Sequence, residues 1–194
     1  MKISELFTED ITTFDEQQFE KDCAFFIKES HGLKMYRGVQ KDFPSCTFRP
    51  FKKREDPVNS PMRLHDQVND FFMEKFGQPF RNGLFATGDL GMARSYGHPY
   101  IVVPKGRFFW LCNTEIPDMT ESLYSEFAHE QGLEEYYAIN KTLDAVEKSK
   151  KWIDSVDLKQ CIESKCEIML WCSHGYYLFK DDENLPNILK SRTT

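Results

Sequence analysis

The stretch "SKCEIMLWCSHGYYLF", residues 164–179, holds the residue on which the reading of this chain turns. Ile168 to Trp171 and Tyr176 to Phe179 are two apolar runs around His174-Gly175, the pattern of two strands about a turn. Glu167 stands directly before the first run. A carboxylate at the mouth of a buried strand is costly unless it is paired or working. A structural explanation would pair it with Arg37 or a lysine. A functional one would give it a charge to stabilise.

The whole chain narrows the choice. Its 194 residues suit one domain with a proper core. Hydrophobic content of 40% and charged content of 29% are those of a globular protein. Aromatics reach 14%, with 17 Phe, so the core and any cleft wall will be aromatic. A net charge of −6 excludes a chain that binds nucleic acid through overall basicity. No apolar run is long enough to span a membrane. The six cysteines contain no CxxC pair, and MKISELFTED lacks an apolar signal core. These features predict free thiols, a cytoplasmic location and no bound metal.

Periodicity and breakers predict the elements. Phe14 to Ile27 carries apolar residues at helical spacing, and residues 1–30 read as an N-terminal helical segment. Leu33 to Val39 is a short strand. Residues 40–62 hold four prolines and many charges, a long loop. Leu64 to Phe76 is an amphipathic helix stopped by Gly77. Gly83 to Thr87 is a strand, and Asp89 caps a helix reaching Tyr96. Tyr100–Val103 and Arg107–Cys112 read as two strands around Pro-Lys-Gly. Residues 119–164 read as mostly helical, with Asp157 as a cap, and residues 181–194 as a polar tail. The class is α+β in a single domain, residues 1–194. Gly-x-Gly-x-x-Gly and Walker loops are absent from the sequence.

Two further stretches can share a site with Glu167. In "MYRGV", 35–39, Arg37 interrupts an apolar strand, and its planar fork suits a carboxylate or phosphate. Gly38 next to it would let a ligand approach the backbone. In "LFATGDLGMARSYG", 84–97, Thr87 ends a strand and can orient a neighbour, while Tyr96 can stack on a flat ring. Taken alone, each is equally an ordinary structural feature.

Taken in order, the three segments resemble the Arg–Ser/Thr–Glu signature of mono-ADP-ribosyltransferases: aromatic-Arg-Gly on an early strand, Phe-x-Thr before a short helix ending in an aromatic, and Glu-Ile-Met-Leu late in the chain. The surrounding pattern, with "DPVNSPMRLHDQVNDFFMEKFGQPFRNGLFATG" at 56–88, is similar to small uncharacterised proteins of tailed bacteriophages. The resemblance implies a split antiparallel β-sandwich with flanking helices and an NAD cleft between its sheets. It implies NAD as substrate, without metal. Arg37 would bind a phosphate or ribose oxygen, Gly38 would offer its backbone to the nicotinamide carboxamide, and Thr87 would hold Arg37 or Glu167 in place. Tyr96 or Phe108, the latter in the Phe108-Phe109-Trp110 strand, would stack on nicotinamide. Glu167 would accept a hydrogen bond from the nicotinamide ribose and stabilise the cation left when nicotinamide departs. Arg37, opposite it, would keep Glu167 ionised.

The implied activity is transfer of ADP-ribose to a host protein or nucleic acid in the host cytoplasm, with no membrane partner. One position departs from the family pattern. Arginine-modifying members carry Glu or Gln two residues before the catalytic acid, and here that residue is Lys165. A cation cannot accept a hydrogen bond from a guanidinium, so Lys165 favours an acidic or phosphate-bearing target, or water. The alternatives are a non-catalytic binding or inhibitor protein on the same fold, an NAD glycohydrolase, and an enzyme that moves a 2′-phosphate from RNA to NAD. "RPFKKRED", 49–56, reads as a solvated basic loop, and His65 as a surface residue at a helix start.

Overall fold

A computed structural model describes residues 14–44, 46–55, 57, 60–125, 128, 135–180 and 185–190. The acidic first residues and most of the polar tail lie outside the described residues. In chain order the elements are α1 (Glu16–Asp22), α2 (Ala24–Glu29), β1 (Tyr36–Val39), β2 (Cys46–Arg49), α3 (Met62–Phe76), β3 (Leu84–Thr87), α4 (Leu90–Ser95), β4 (His98–Pro104) and β5 (Phe109–Asn113). They continue with α5 (Glu135–Lys148), β6 (Trp152–Asp154), α6 (Leu158–Glu163), β7 (Glu167–Trp171), β8 (Tyr176–Phe179) and α7 (Asn187–Lys190). A 3₁₀ turn covers Phe80–Asn82 and a π-helical stretch covers Met119–Ser125. The architecture is α+β.

Local chemistry explains the boundaries. The carboxylate of Asp15 accepts from the backbone of Gln17 and Gln18 to open α1. Asp89 Oδ1 accepts from Met92 N at 2.9 Å to open α4, and Asp157 Oδ1 accepts from Gln160 N at 2.8 Å to open α6. Gly77 ends α3 with φ at 75°, a left-handed conformation that glycine adopts without penalty. The single helix expected over Phe14–Ile27 breaks at Cys23. The break lets Phe19 pack on Tyr177 and Phe179, while Phe25 and Phe26 reach Phe108. Two short strands that the sequence hides, Cys46–Arg49 and Trp152–Asp154, form at the sheet's edges. Within the tail, Leu185 and Leu189 are buried.

The eight strands among the described residues join one sheet, in the order β2-β8-β4-β1-β3-β7-β5-β6, and each pairing between them is antiparallel. The sheet has a seam. β1 and β3 meet at a single register pair, Tyr36 opposite Thr87, whereas β1–β4 and β3–β7 each share four. The two halves are therefore β2-β8-β4-β1 and β3-β7-β5-β6. The two expected turns turn out to be crossings. β4 belongs to one half and β5 to the other, so Pro104-Lys105-Gly106 carries the chain across the seam. His174-Gly175 does the same between β7 and β8. The crossings brace each other: Lys105 N–H donates to Gly175 O at 3.0 Å, and a Cβ on Gly106 would lie 2.9 Å from the His174 ring.

β7 is buried on both faces, which is why it reads as a continuous apolar run. Ile168 and Leu170 join a cluster with Phe26, Tyr100, Trp110 and Phe179. Met169 faces a second cluster beneath α3 and α5, with Leu64, Val68, Phe72 and Ile139. The thiol expectation needs correction. Cys112 on β5 and Cys161 on α6 form a disulfide, while Cys23, Cys46, Cys166 and Cys172 are free. A spacing of 49 residues is invisible as a pair until α6 folds back beside β5. No helix among the described residues is long and apolar enough to cross a membrane.

Candidate functional site

The sheet register brings the three signature residues to one place. Tyr36, Thr87 and Glu167 lie side by side across β1, β3 and β7, and Arg37 follows Tyr36. Arg37, Thr87 and Glu167 line one cavity of about 490 Å³ over the seam, together with Gly38 and Tyr96.

Thr87 acts as a brace. Its hydroxyl donates to Lys165 O at 2.9 Å and accepts from Asp89 N at 3.0 Å. It thus fixes the chain two residues ahead of Glu167 and the start of α4 at once. Lys165 holds a left-handed backbone with φ at 61°, a strained conformation for a residue with a Cβ. Its carbonyl does the local work. Its side chain is exposed and does not line the cavity.

Arg37 staples the seam. Its Nη1 donates to Phe85 O on β3 at 2.8 Å, where the two strands share only one register pair. Burial pushes its pKa below the ordinary arginine value.

The partner of Glu167 is neither Arg37 nor a lysine. Arg81, in the 3₁₀ turn before β3, sends Nη1 to Glu167 Oε1 at 3.0 Å and Nη2 to Thr120 Oγ1 at 3.1 Å. The pair is enclosed, with side chains 5% and 13% exposed. Burial pushes the Glu167 carboxyl up to about 7; Arg81 and Arg54 oppose the shift, and Asp118 adds to it. Keeping the acid ionised therefore falls to Arg81 and Arg54 rather than to Arg37.

Several cavity residues escaped the sequence reading. Asp118 accepts from Tyr96 Oη at 2.8 Å through Oδ2 and from Thr120 N at 2.8 Å through Oδ1. Arg54, in the supposedly solvated loop, sits 5.0 Å from the centre of the Phe85 ring, and Arg81 sits 4.8 Å from it. The cavity wall thus carries three guanidiniums, Arg37, Arg54 and Arg81, against two carboxylates, Asp118 and Glu167. That balance suits an anionic ligand with one cationic part near Glu167.

Behind Arg81 lies a polar knot. His65 is buried, not on the surface, and its Nε2 lies 2.7 Å from Asn82 Oδ1. Asn69 Nδ2 donates to the same oxygen at 3.0 Å, and Asn69 Oδ1 accepts from Arg81 N at 2.9 Å. Burial lowers the His65 pKa, and the cations Arg81 and Arg54 add to that.

Two expectations are revised. Phe108 does not line the cavity: it is 3% exposed and packs 5.4 Å from both Phe25 and Trp110, because α2 covers that side of β5. Tyr96 is the aromatic of the two that does. Gly38 lines the cavity, but the space beside its Cα is taken by α4. A Cβ there would strike Ala93 O and come within 2.6 Å of Tyr96 Cβ. Its glycine is thus required by helix packing.

Among the described residues, no group of three or more His, Cys, Asp and Glu is placed to hold a metal ion. No family model, curated protein or solved structure matches the chain.

Proposed function

We propose that this chain is an NAD-dependent mono-ADP-ribosyltransferase of phage origin, acting on a host macromolecule. One observation carries the reading. An arginine, a threonine and a glutamate from three adjacent strands line a single cavity, in the order the family signature requires. The finer fold reading, a split sandwich of the transferase type, rests on the same signature and on the seam between β1 and β3.

In this reading Arg37 meets a phosphate or ribose oxygen of NAD, and Tyr96 stacks on nicotinamide. Glu167 faces the nicotinamide ribose. The bond from ribose C1′ to the nicotinamide nitrogen breaks, and its electron pair leaves with nicotinamide. The oxocarbenium-like sugar is stabilised by the fixed carboxylate. A lone pair of the acceptor forms the new bond to C1′, and the acceptor loses a proton. The surplus of guanidiniums in the wall serves the phosphates.

The test incubates the protein with NAD labelled in the adenylate half, with and without host lysate, and measures nicotinamide release and label transfer. Both are expected, and Glu167→Gln should abolish both while remaining folded. A wild-type protein that does neither would refute the reading. Release without transfer would indicate a glycohydrolase. A binding protein on the same fold is the second reading, and the ion pair that already occupies Glu167 favours it. A stable host partner with no turnover would establish it.

A further inference from the structure

Arg37 and Arg54 line a second cavity as well as the first. It measures about 190 Å³ and is closed by the segment after β2, the start of β3 and Tyr176 at the start of β8. Such a volume holds a chemical group, since whole small-molecule sites occupy roughly 300–1,000 Å³. Its charged lining residues are Arg37, Arg49, Lys52 and Arg54, all cations, with no carboxylate among the described lining residues. This occurs in a chain whose net charge is −6.

The guanidiniums are held in place before any ligand arrives. Arg37 is fixed by Phe85 O. Arg49 lies 4.7 Å from the centre of the Phe43 ring, and Arg54 lies 5.0 Å from that of Phe85. The backbone of Arg54 is anchored too, its N–H donating to Asn82 O at 2.8 Å. Planar forks held this way match the oxygens of a phosphoryl group. The cations also oppose one another: after burial in each case, Arg49 helps lower the pKa of Arg37, and Arg81 and Arg37 help lower that of Arg54, which Glu167 and Asp118 of the first cavity partly offset. An oxyanion between them would relieve that repulsion.

We infer that the second cavity is a phosphoryl-binding site joined to the first through Arg37 and Arg54. It lies at the Leu84 end of β3, about 10 Å of extended chain from Thr87 and Glu167. The phosphoryl group belongs either to the molecule that fills the first cavity or to a second, phosphorylated molecule bound beside it. The inference does not depend on the proposed activity, because it concerns charge and shape alone.

The test titrates the full chain with inorganic pyrophosphate by calorimetry at low salt. Binding is expected, weakening as salt rises. Arg49→Ala should weaken it roughly tenfold, and Arg49→Lys, which keeps the charge but loses the fork, should fall between. Lys52→Ala, at an exposed position, should also weaken it if Arg49→Ala fails to fold. Glu167→Gln, which removes a carboxylate that acts on Arg54, should not weaken it. NAD added to the pyrophosphate-loaded protein separates the sources. Competition assigns the site to the ligand of the first cavity, and simultaneous binding assigns it to a second molecule. Pyrophosphate binding without any NAD binding would uphold this inference while refuting the transferase. No heat at millimolar pyrophosphate, or undiminished binding by folded Arg49 and Lys52 variants, would overturn it.

Discussion

Arg81 Nη1 lies 3.0 Å from Glu167 Oε1, and neither side chain has more than a sliver of solvent. The pair links the turn before β3 to the first residue of β7. Removing the arginine leaves a buried carboxylate alone, which costs about 3–5 kcal/mol. Arg81→Met should therefore lower stability by about that amount at pH 8. At pH 5.5 the loss should be much smaller, because the acid can take a proton. Urea unfolding at the two pH values checks this, and the double variant Arg81→Met, Glu167→Gln should recover part of the loss.

The raised Glu167 carboxyl makes stability depend on pH. Its folded value of about 7 lies above the ordinary 4.5. Between these values the folded protein binds a proton that the unfolded chain has lost. The stabilising contribution is complete below pH 4.5 and disappears as pH rises through 7. Wild type should thus lose up to roughly 3 kcal/mol between pH 5 and pH 8 relative to Glu167→Gln. Parallel urea midpoints for the two proteins across that range would expose the difference. Equal slopes would show that the acid titrates normally.

Catalysis would have the opposite slope. If Glu167 stabilises a forming cation, only its ionised form is active. Nicotinamide release per unit of enzyme should climb about fivefold from pH 6 to pH 7 and level off above pH 8. Bound NAD, with its positive nicotinamide ring, should shift the midpoint of kcat below that of kcat/KM.

Gly38→Ala tests whether α4 is seated where the cavity needs it. The new methyl would collide with the Ala93 carbonyl and the Tyr96 side-chain root. The expected outcome is a loss of roughly 1–3 kcal/mol in stability, as for other overpacked contacts. Thermal melting measures it. A melting point within a degree or two of wild type would show that α4 moves aside freely.

The sequence carried the site's reactive residues better than their relationships. Arg37, Thr87 and Glu167 were legible because each interrupts, ends or opens an apolar strand, where a polar residue must have a reason. Arg81 was not. It sits in "QPFRNG", between a proline and a glycine, and reads as a loop residue until Phe80–Asn82 folds into a 3₁₀ turn under α3. Asp118 hides in the same way, one residue after Pro117. Helix starts at Asp89 and Asp157 could be read because capping is local chemistry. Strand partners could not, since β4 and β5, like β7 and β8, adjoin in sequence yet pair with strands from elsewhere. Phe108 misled because it precedes β5, where α2 rather than alternation decides what it touches.

The two crossings at Pro104–Gly106 and Ser173–Gly175 dictate an order of events in folding. β8 lies between β2 and β4, so the half-sheet that carries Arg37 has a gap until Tyr176–Phe179 is made. A nascent chain leaving the ribosome cannot finish either half from its first hundred residues, because β5, β6 and β7 arrive later too. Such long-range pairing folds slowly and exposes unpaired strands meanwhile. Stopping synthesis before Tyr176 would leave β2 and β4 as open edges, a fragment bound for aggregation or proteolysis.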